Sequence, residues 1–264
     1  MAVPLTEPAP TATGEWVQVD LAATACQVRL VYPELAPVVR EWLRDRVITE
    51  FFFTHKPPGL RVRFAVSGED AAAVRTEFLV RALRWRYAGL ISDARPAPCT
   101  PEGSRFGGPA AMAAVHRLFT VDALTWLDFH SRRTGTPAWR LSLAMLRHVV
   151  PEGVDTAVWP AVAAAGRQRP ARAPDTALAA AGLRALWRRP ADLRAALPPA
   201  TLALADRHAV LIDPLVPRWP ATPEALAWYV IFHWNRAALR VGTQILISSA
   251  LGASTGEAGN GDVR

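Results

Sequence analysis

The sequence predicts an α+β protein: an N-terminal antiparallel or mixed sheet with flanking helices, packed against a mainly helical C-terminal part. Three observations carry that expectation. Short alternating apolar runs cluster before residue 67, a Pro-Pro-Gly turn separates two of them, and helical periodicity fills most of the chain after residue 108.

Trp16–Leu21 alternates like a strand. Pro33 is expected to open a helix running to about Arg46, because Leu35, Val38, Val39 and Leu43 recur at helical spacing. Two strand-like runs follow, Ile48–Thr54 and Leu60–Val66, with the turn residues HKPPG between them. A helix is expected over 69–87, and residues 92–108, rich in proline and glycine, read as a loop. Further helices are expected over 109–131, 137–149, 154–165, 175–189, 199–212 and 222–250. Residues 1–14 and 252–264 read as flexible tails around a single catalytic domain spanning 15–251, with a basic, flexible loop at 166–174.

Hydrophobic residues are 51% of the 264 and charged residues 20%, which excludes wholesale disorder. The formal charge is +7, and of 30 basic residues only Lys56 is a lysine. Codon bias accounts for much of that arginine excess, and the charge weakly favours acidic partners. Nucleic acid is not the expected partner, since the arginines are scattered and no recognition motif is present. Cys26 and Cys99 make neither a disulfide framework nor a metal site. The N-terminus lacks a signal-peptide pattern and no apolar run is long enough to span a membrane, so a cytoplasmic location is expected.

Three places carry the chemistry. In Gly59-Leu60-Arg61-Val62-Arg63-Phe64, strand alternation puts Arg61 and Arg63 on one side and the apolar residues on the other. Two guanidinium groups held that close suit an anion between them; a solvated edge-strand face fits the same pattern. In Ser104-Arg105-Phe106-Gly107-Gly108-Pro109, the glycines permit a sharp turn and Pro109 suits the first turn of a helix. Arg105 then stands before a helix N-terminus, where anions are favoured, although the motif also occurs in ordinary loops. In the last long helix, capped by Thr222, the spacing of Tyr229, His233, Arg236 and Arg240 places them on one polar face. A satisfied structural histidine explains His233 as well, and His55, His116, His130, His148 and His208 lack a context that chemistry would explain.

Taken in order, FFFTHKPPGLRVRF, SRFGGPAAMAAVHRLFTVDALTWLDFH and VIFHWNR resemble the C-terminal domain of lantibiotic dehydratases, and more closely the stand-alone thiopeptide-type bacteriocin biosynthesis proteins. The likeness runs from about residue 16 to 250 and is thin between 150 and 220. It implies maturation of a ribosomally made peptide. In that family a separate part glutamylates Ser or Thr of the precursor, and this domain eliminates glutamate to leave dehydroalanine or dehydrobutyrine. Carried over, the family's Arg-x-Arg strand falls on Arg61 and Arg63, the arginine before the double glycine on Arg105, and the histidine on His233. Together these are expected to be the catalytic residues, with Tyr229, Arg236 and Arg240 binding substrate. No metal or organic cofactor is implied. The implied partners are a precursor peptide with its leader and a separate glutamylating protein.

Gly59, Phe106 and Ala123 depart from a histidine, a tyrosine and a serine common in relatives. The departures keep a second activity of such proteins in view, the formal [4+2] aza-cycloaddition of two dehydroalanines that forms a pyridine and releases the leader. A non-catalytic protein that presents the precursor is a further alternative.

Overall fold

The computed structural model describes residues 15–66, 70–100, 102–132, 135–166 and 177–253. The expected tails and the basic loop, apart from Gly166, Gly252 and Ala253, lie outside them. The chain forms two compact units, one of residues 1–101 and 122–133, the other of 102–121 and 134–264.

The first unit is built around a four-stranded sheet. Its elements are β1 (Glu15–Ala22), α1 (Ala25–Arg44), β2 (Glu50–Lys56), β3 (Gly59–Val66), α2 (Ala71–Tyr87) and β4 (Asp93–Ala97). The strand order is β2-β3-β1-β4 and every pairing is antiparallel. This βαββαβ arrangement is the ferredoxin-like split βαβ motif. Strand alternation sends Phe51, Phe53, Val62, Phe64, Val17 and Val19 to one face. There Phe64 meets Trp42 of α1 at 5.3 Å and Phe78 of α2 at 4.9 Å between ring centroids, so both helices cover that face. Arg40 of α1 also pairs with Asp128 at the end of the next helix, α3 (Pro109–Ser131).

The second unit is helical. Besides the first part of α3 it contains α4 (Ala138–Leu146), α5 (Asp155–Gly166), α6 (Ala177–Arg188), α7 (Pro190–Ala195), α8 (Pro199–Ile212), α9 (Pro223–Arg236) and α10 (Val241–Gly252). Helix α9 packs on α5 and α4, α10 on α5 and α6, and α4 on α7 and α8. Trp159, Trp234, Tyr229 and Phe119 are fully buried in its core.

The α+β expectation holds, and α3 and α8 start and end where the periodicity places them. Other boundaries shift by a few residues, and four differences alter the element plan or its caps. Helix α1 begins at Ala25 rather than Pro33: Thr24 and Gln27 form a capping box, and both Pro33 and Pro37 sit inside the helix. β4 falls within the expected loop; its Pro96 disguises a short edge strand, where a missing N–H is tolerated. The short helix α7 fills a stretch with no expected element. The helix expected over 222–250 is two helices, because the chain turns at Ala238, which adopts φ 53°. Leu239 N donates to Trp234 O and Ala238 N to Asn235 O, a Schellman ending that an alanine in place of the usual glycine conceals.

Candidate functional site

Arg61 and Arg63 project from β3 to the sheet face opposite α1 and α2, as alternation requires. The sheet register sets their partners. Asp20 of β1 lies directly across from Arg61, and Gln18 directly across from Arg63. Arg61 grips Asp20 with two hydrogen bonds, Nε to Oδ1 at 2.9 Å and Nη2 to Oδ2 at 3.1 Å. Arg63 donates from Nε to Gln18 Oε1 at 2.8 Å and lies 5.3 Å from the centre of the Phe52 ring. Gln18 Nε2 in turn donates to Asp20 Oδ1 at 3.1 Å, which joins the two arginines into one network. Arg61 and Asp20 are about four-fifths buried, Arg63 and Gln18 more so. Cys99 lies close enough to feel both guanidinium groups: burial pushes its thiol pKa up, against the pull of Arg63 and Arg61.

In the second unit, the expected glycine turn before α3 is present. Gly107 and Gly108 have φ of 96° and 95°, conformations that glycine adopts without strain. Arg105 pairs with Glu102 at 2.6 Å and stacks 4.0 Å above Trp228 of α9. The loop is pinned by the next residue: Phe106 is buried against Phe119 and Phe232, and its carbonyl accepts from Trp219 Nε1.

Tyr229, His233 and Arg236 share one face of α9, and all three are buried. Tyr229 packs on Phe119 and Trp219. The Arg236 guanidinium lies 4.3 Å from the centre of the Phe119 ring. His233 Nε2 is 2.9 Å from the hydroxyl of Ser142 on α4. Arg240 does not join this face. It lies beyond the break, exposed, as the N-cap residue of α10, because the Schellman turn takes the chain out of the helix before it.

Arg61 and Arg63 thus belong to the first unit, whereas Arg105, Tyr229, His233 and Arg236 belong to the second. Within the second unit Arg105 stacks on Trp228, which lies about 140° around α9 from His233. Sequence reasoning did not single out Asp20, Gln18, Glu102, Trp228 or Ser142. The alternation of Gln18 and Asp20 with Val17, Val19 and Leu21 would have found the first two; nothing local marks Ser142.

Other histidines also gain partners. Tyr32 hydrogen-bonds His55 Nε2 at 2.5 Å, and its ring stacks on His130, which stacks on Trp126. His148 pairs with Asp213. Among the described residues no group of three or more His, Cys, Asp or Glu could hold a metal ion, and no helix is long and apolar enough to cross a membrane.

Residues 16–251 match the family described as lantibiotic biosynthesis dehydratase, C-terminal. The chain belongs to this family. No curated protein sequence matches it. Among solved structures it is similar to the tRNA-dependent lantibiotic dehydratase MibB from Microbispora sp. 107891, at 17% identity and a TM-score of 0.57 over 93% of this chain. The chain spans 28% of the length of MibB. It is also similar to TsrL, at 16% identity and a TM-score of 0.55, covering 91% of this chain and 95% of TsrL. At such identities these likenesses establish the fold shared with the lantibiotic dehydratase family.

Two departures from the family pattern have local explanations. A Cβ at Gly59 would come within 2.6 Å of Leu21 O and Ala23 N, so the β1 backbone occupies the space a histidine there would need. Phe106 is buried among aromatic rings. Ala123 is buried too, and nothing in the structure explains why serine is replaced there.

Proposed function

We propose that the chain eliminates glutamate from glutamylated serine or threonine of a precursor peptide, leaving dehydroalanine or dehydrobutyrine. The observation that carries the reading is the Arg61–Arg63 pair, held on one sheet face by a fixed hydrogen-bond network in a member of this family. Guanidinium groups bind carboxylates through paired hydrogen bonds, and a pre-set network limits the rearrangement needed as charge develops. His233 takes the proton from the α-carbon of the esterified residue. The C–H electron pair becomes the Cα=Cβ bond, the Cβ–O bond breaks, and glutamate departs as a carboxylate. The proton on the imidazole then returns to solvent. In this reading Arg61 and Arg63 of the first unit and Arg105 of the second are the candidate anion-binding residues, and Tyr229 and Arg236, on the same face of α9 as His233, are candidates for binding substrate. The partners in this reading are the precursor with its leader and a separate glutamylating protein, in the cytoplasm.

A second reading is the pyridine-forming cycloaddition. It is favoured by one feature: Arg61 and Arg105 already carry the carboxylates of Asp20 and Glu102, which suits a site that never meets glutamate. Mass spectrometry of two incubations separates the readings. Loss of glutamate from a glutamylated precursor peptide is expected for elimination. Release of leader from a fully dehydrated precursor, with the glutamylated one left intact, would replace that reading with the second.

A further inference from the structure

We infer that the outward face of α2 is a docking surface for an acidic amphipathic helix, supplied by the leader of the precursor peptide. This surface rests on the proposed function for its partner alone; the chemistry at His233 does not enter.

Helix α2 is apolar on two opposite faces. Ala71, Val74, Phe78, Ala82 and Trp85 are buried in the core of the first unit. On the far side Val80, Leu83 and Tyr87 are 47%, 47% and 86% exposed. They stand in line with exposed Ala73 and Thr76, at successive steps of three, four, three and four residues. At about 100° per residue, all of these fall within about 80° of arc directly opposite the buried face. A surface helix ordinarily turns its polar residues to solvent. Single exposed apolar residues need no explanation, but an aligned stripe marks a contact. A stripe this narrow, with a heptad's spacing, is the seam along which a second helix packs.

Charge decides what packs there. With Val80 at heptad position a and Leu83 at d, Arg84 and Arg86 fall at e and g, one on each flank of the seam, and both are exposed. Arg84 makes no ion pair among the described residues. Arg86 draws only on Asp93, whose carboxylate Arg95 already holds. The other arginines of the helix are engaged: Arg75 pairs with Glu15, and Arg81 with Glu77 and Glu41. Residues at e and g choose the partner by charge, so this seam calls for glutamates or aspartates beside the partner's apolar anchors. A second copy would bring four more arginines and one glutamate that Arg81 already grips. An anionic lipid surface would meet a broad apolar face, not a seam. From Ala73 to Tyr87 the seam is about 21 Å long, the reach of one peptide helix seated by anchors at i, i+3 and i+7. A leader fits that description: it is chain remote from the residues modified, and it can fold as it docks.

The test uses the full-length chain, a Leu83→Glu variant and a variant with both Arg84→Glu and Arg86→Glu. These change exposed side chains, so urea midpoints should stay with the parent's. The probe is a fluorescein-labelled synthetic helix of the seam's length, with leucine at a and d and glutamate at e and g; a second helix carries lysine in place of glutamate. Fluorescence anisotropy is expected to show micromolar binding of the acidic helix, weakened about tenfold or more by Leu83→Glu. The double reversal is expected to reject the acidic helix and accept the lysine one. Joined to a peptide with one glutamylated serine, the acidic helix is expected to lower KM for glutamate loss about tenfold in the parent and not in Leu83→Glu. No binding of the acidic helix, equal binding of both helices, or binding that survives Leu83→Glu overturns the docking surface. So does a parent dimer that Leu83→Glu dissociates in the ultracentrifuge, or binding to phosphatidylglycerol vesicles that the same change abolishes. Helix binding without any gain in KM removes the leader as its source. If the parent releases glutamate from neither peptide, elimination fails as a reading; anisotropy still judges the seam, and the KM arm passes to a dehydrated peptide bearing the same helix.

Discussion

The arginine pair of the first unit and the imidazole of the second are seated by different means. Arg61 and Arg63 owe their direction to strand alternation, and their partners to a register that sets Asp20 and Gln18 straight across the sheet. Backbone hydrogen bonds hold that geometry, so the side chains need only short reaches to meet. His233 has no such template. Its direction comes from how α9 packs on α4 and α5, and its hydrogen bond spans 91 residues of sequence to a serine on another helix. A sheet site therefore tolerates changes in surrounding side chains better than a helix-packing site does. In the latter the same contacts position the residue and hold the core together.

The largest expected effect lies on the helical side. His233→Ala should reduce glutamate elimination by about 10²- to 10⁴-fold, the usual contribution of a general base. Single-turnover assays on a glutamylated precursor measure it; an unchanged rate would end the assignment. Next comes Arg63→Ala. Elimination should fall by roughly ten- to a hundredfold, the loss of one charge-assisted hydrogen bond to substrate. Gln18 is 2% exposed and loses its Arg63 partner in the variant, so the midpoint of urea unfolding should fall too. If elimination falls only as far as the folded fraction does, the arginine serves the sheet and not the glutamyl group.

The same contrast explains what was legible in the sequence. Period two in LRVRF was enough to pair Arg61 with Arg63 on one face, and the sheet confirms it. Period 3.6 likewise placed Tyr229, His233 and Arg236 together. Arg240 was misplaced because a helix end signalled by Ala238 leaves no compositional mark; propensity alone continues the helix through it. β4 was hidden by its proline, and the early start of α1 by two prolines that the helix absorbs. Ser142 was out of reach for a different reason. Contacts between distant helices depend on packing angles, and a buried serine in LSLAML looks like any small core residue.

A smaller effect, on stability first, is expected at the turn leading into the arginine strand. Gly59→Ala puts a methyl group against the β1 backbone at 2.6 Å from Leu21 O. Backbone cannot yield as a flexible side chain can, so a cost of about 1–3 kcal/mol is expected, in the range of overpacked sites. Urea titration reads it as a lower midpoint at unchanged slope. Because Gly59 pairs with Ala22 in the same ladder that sets Arg61 against Asp20, activity should follow stability here. A variant as stable as the parent would mean that β1 gives way at its end without disturbing the arginines.

The smallest change should be Asp20→Asn, and it bears most directly on how the sheet site works. The asparagine keeps one oxygen for Arg61 but gives up the charge and the second accepting oxygen of the two-point grip. The pair is about one-fifth exposed, so stability should drop by only about 1 kcal/mol, as for partly solvated ion pairs. Function separates two roles for the carboxylate. If Asp20 only orients Arg61, a looser guanidinium should raise KM for glutamylated peptide a few-fold, with an effect on kcat no larger. If Asp20 instead competes with the substrate carboxylate for Arg61, the variant should bind free glutamate more tightly than the parent does. Isothermal titration with glutamate decides between them, and either sign is informative. The orienting role predicts weaker binding, and tighter binding would show that the sheet holds its arginine in check until a stronger anion arrives.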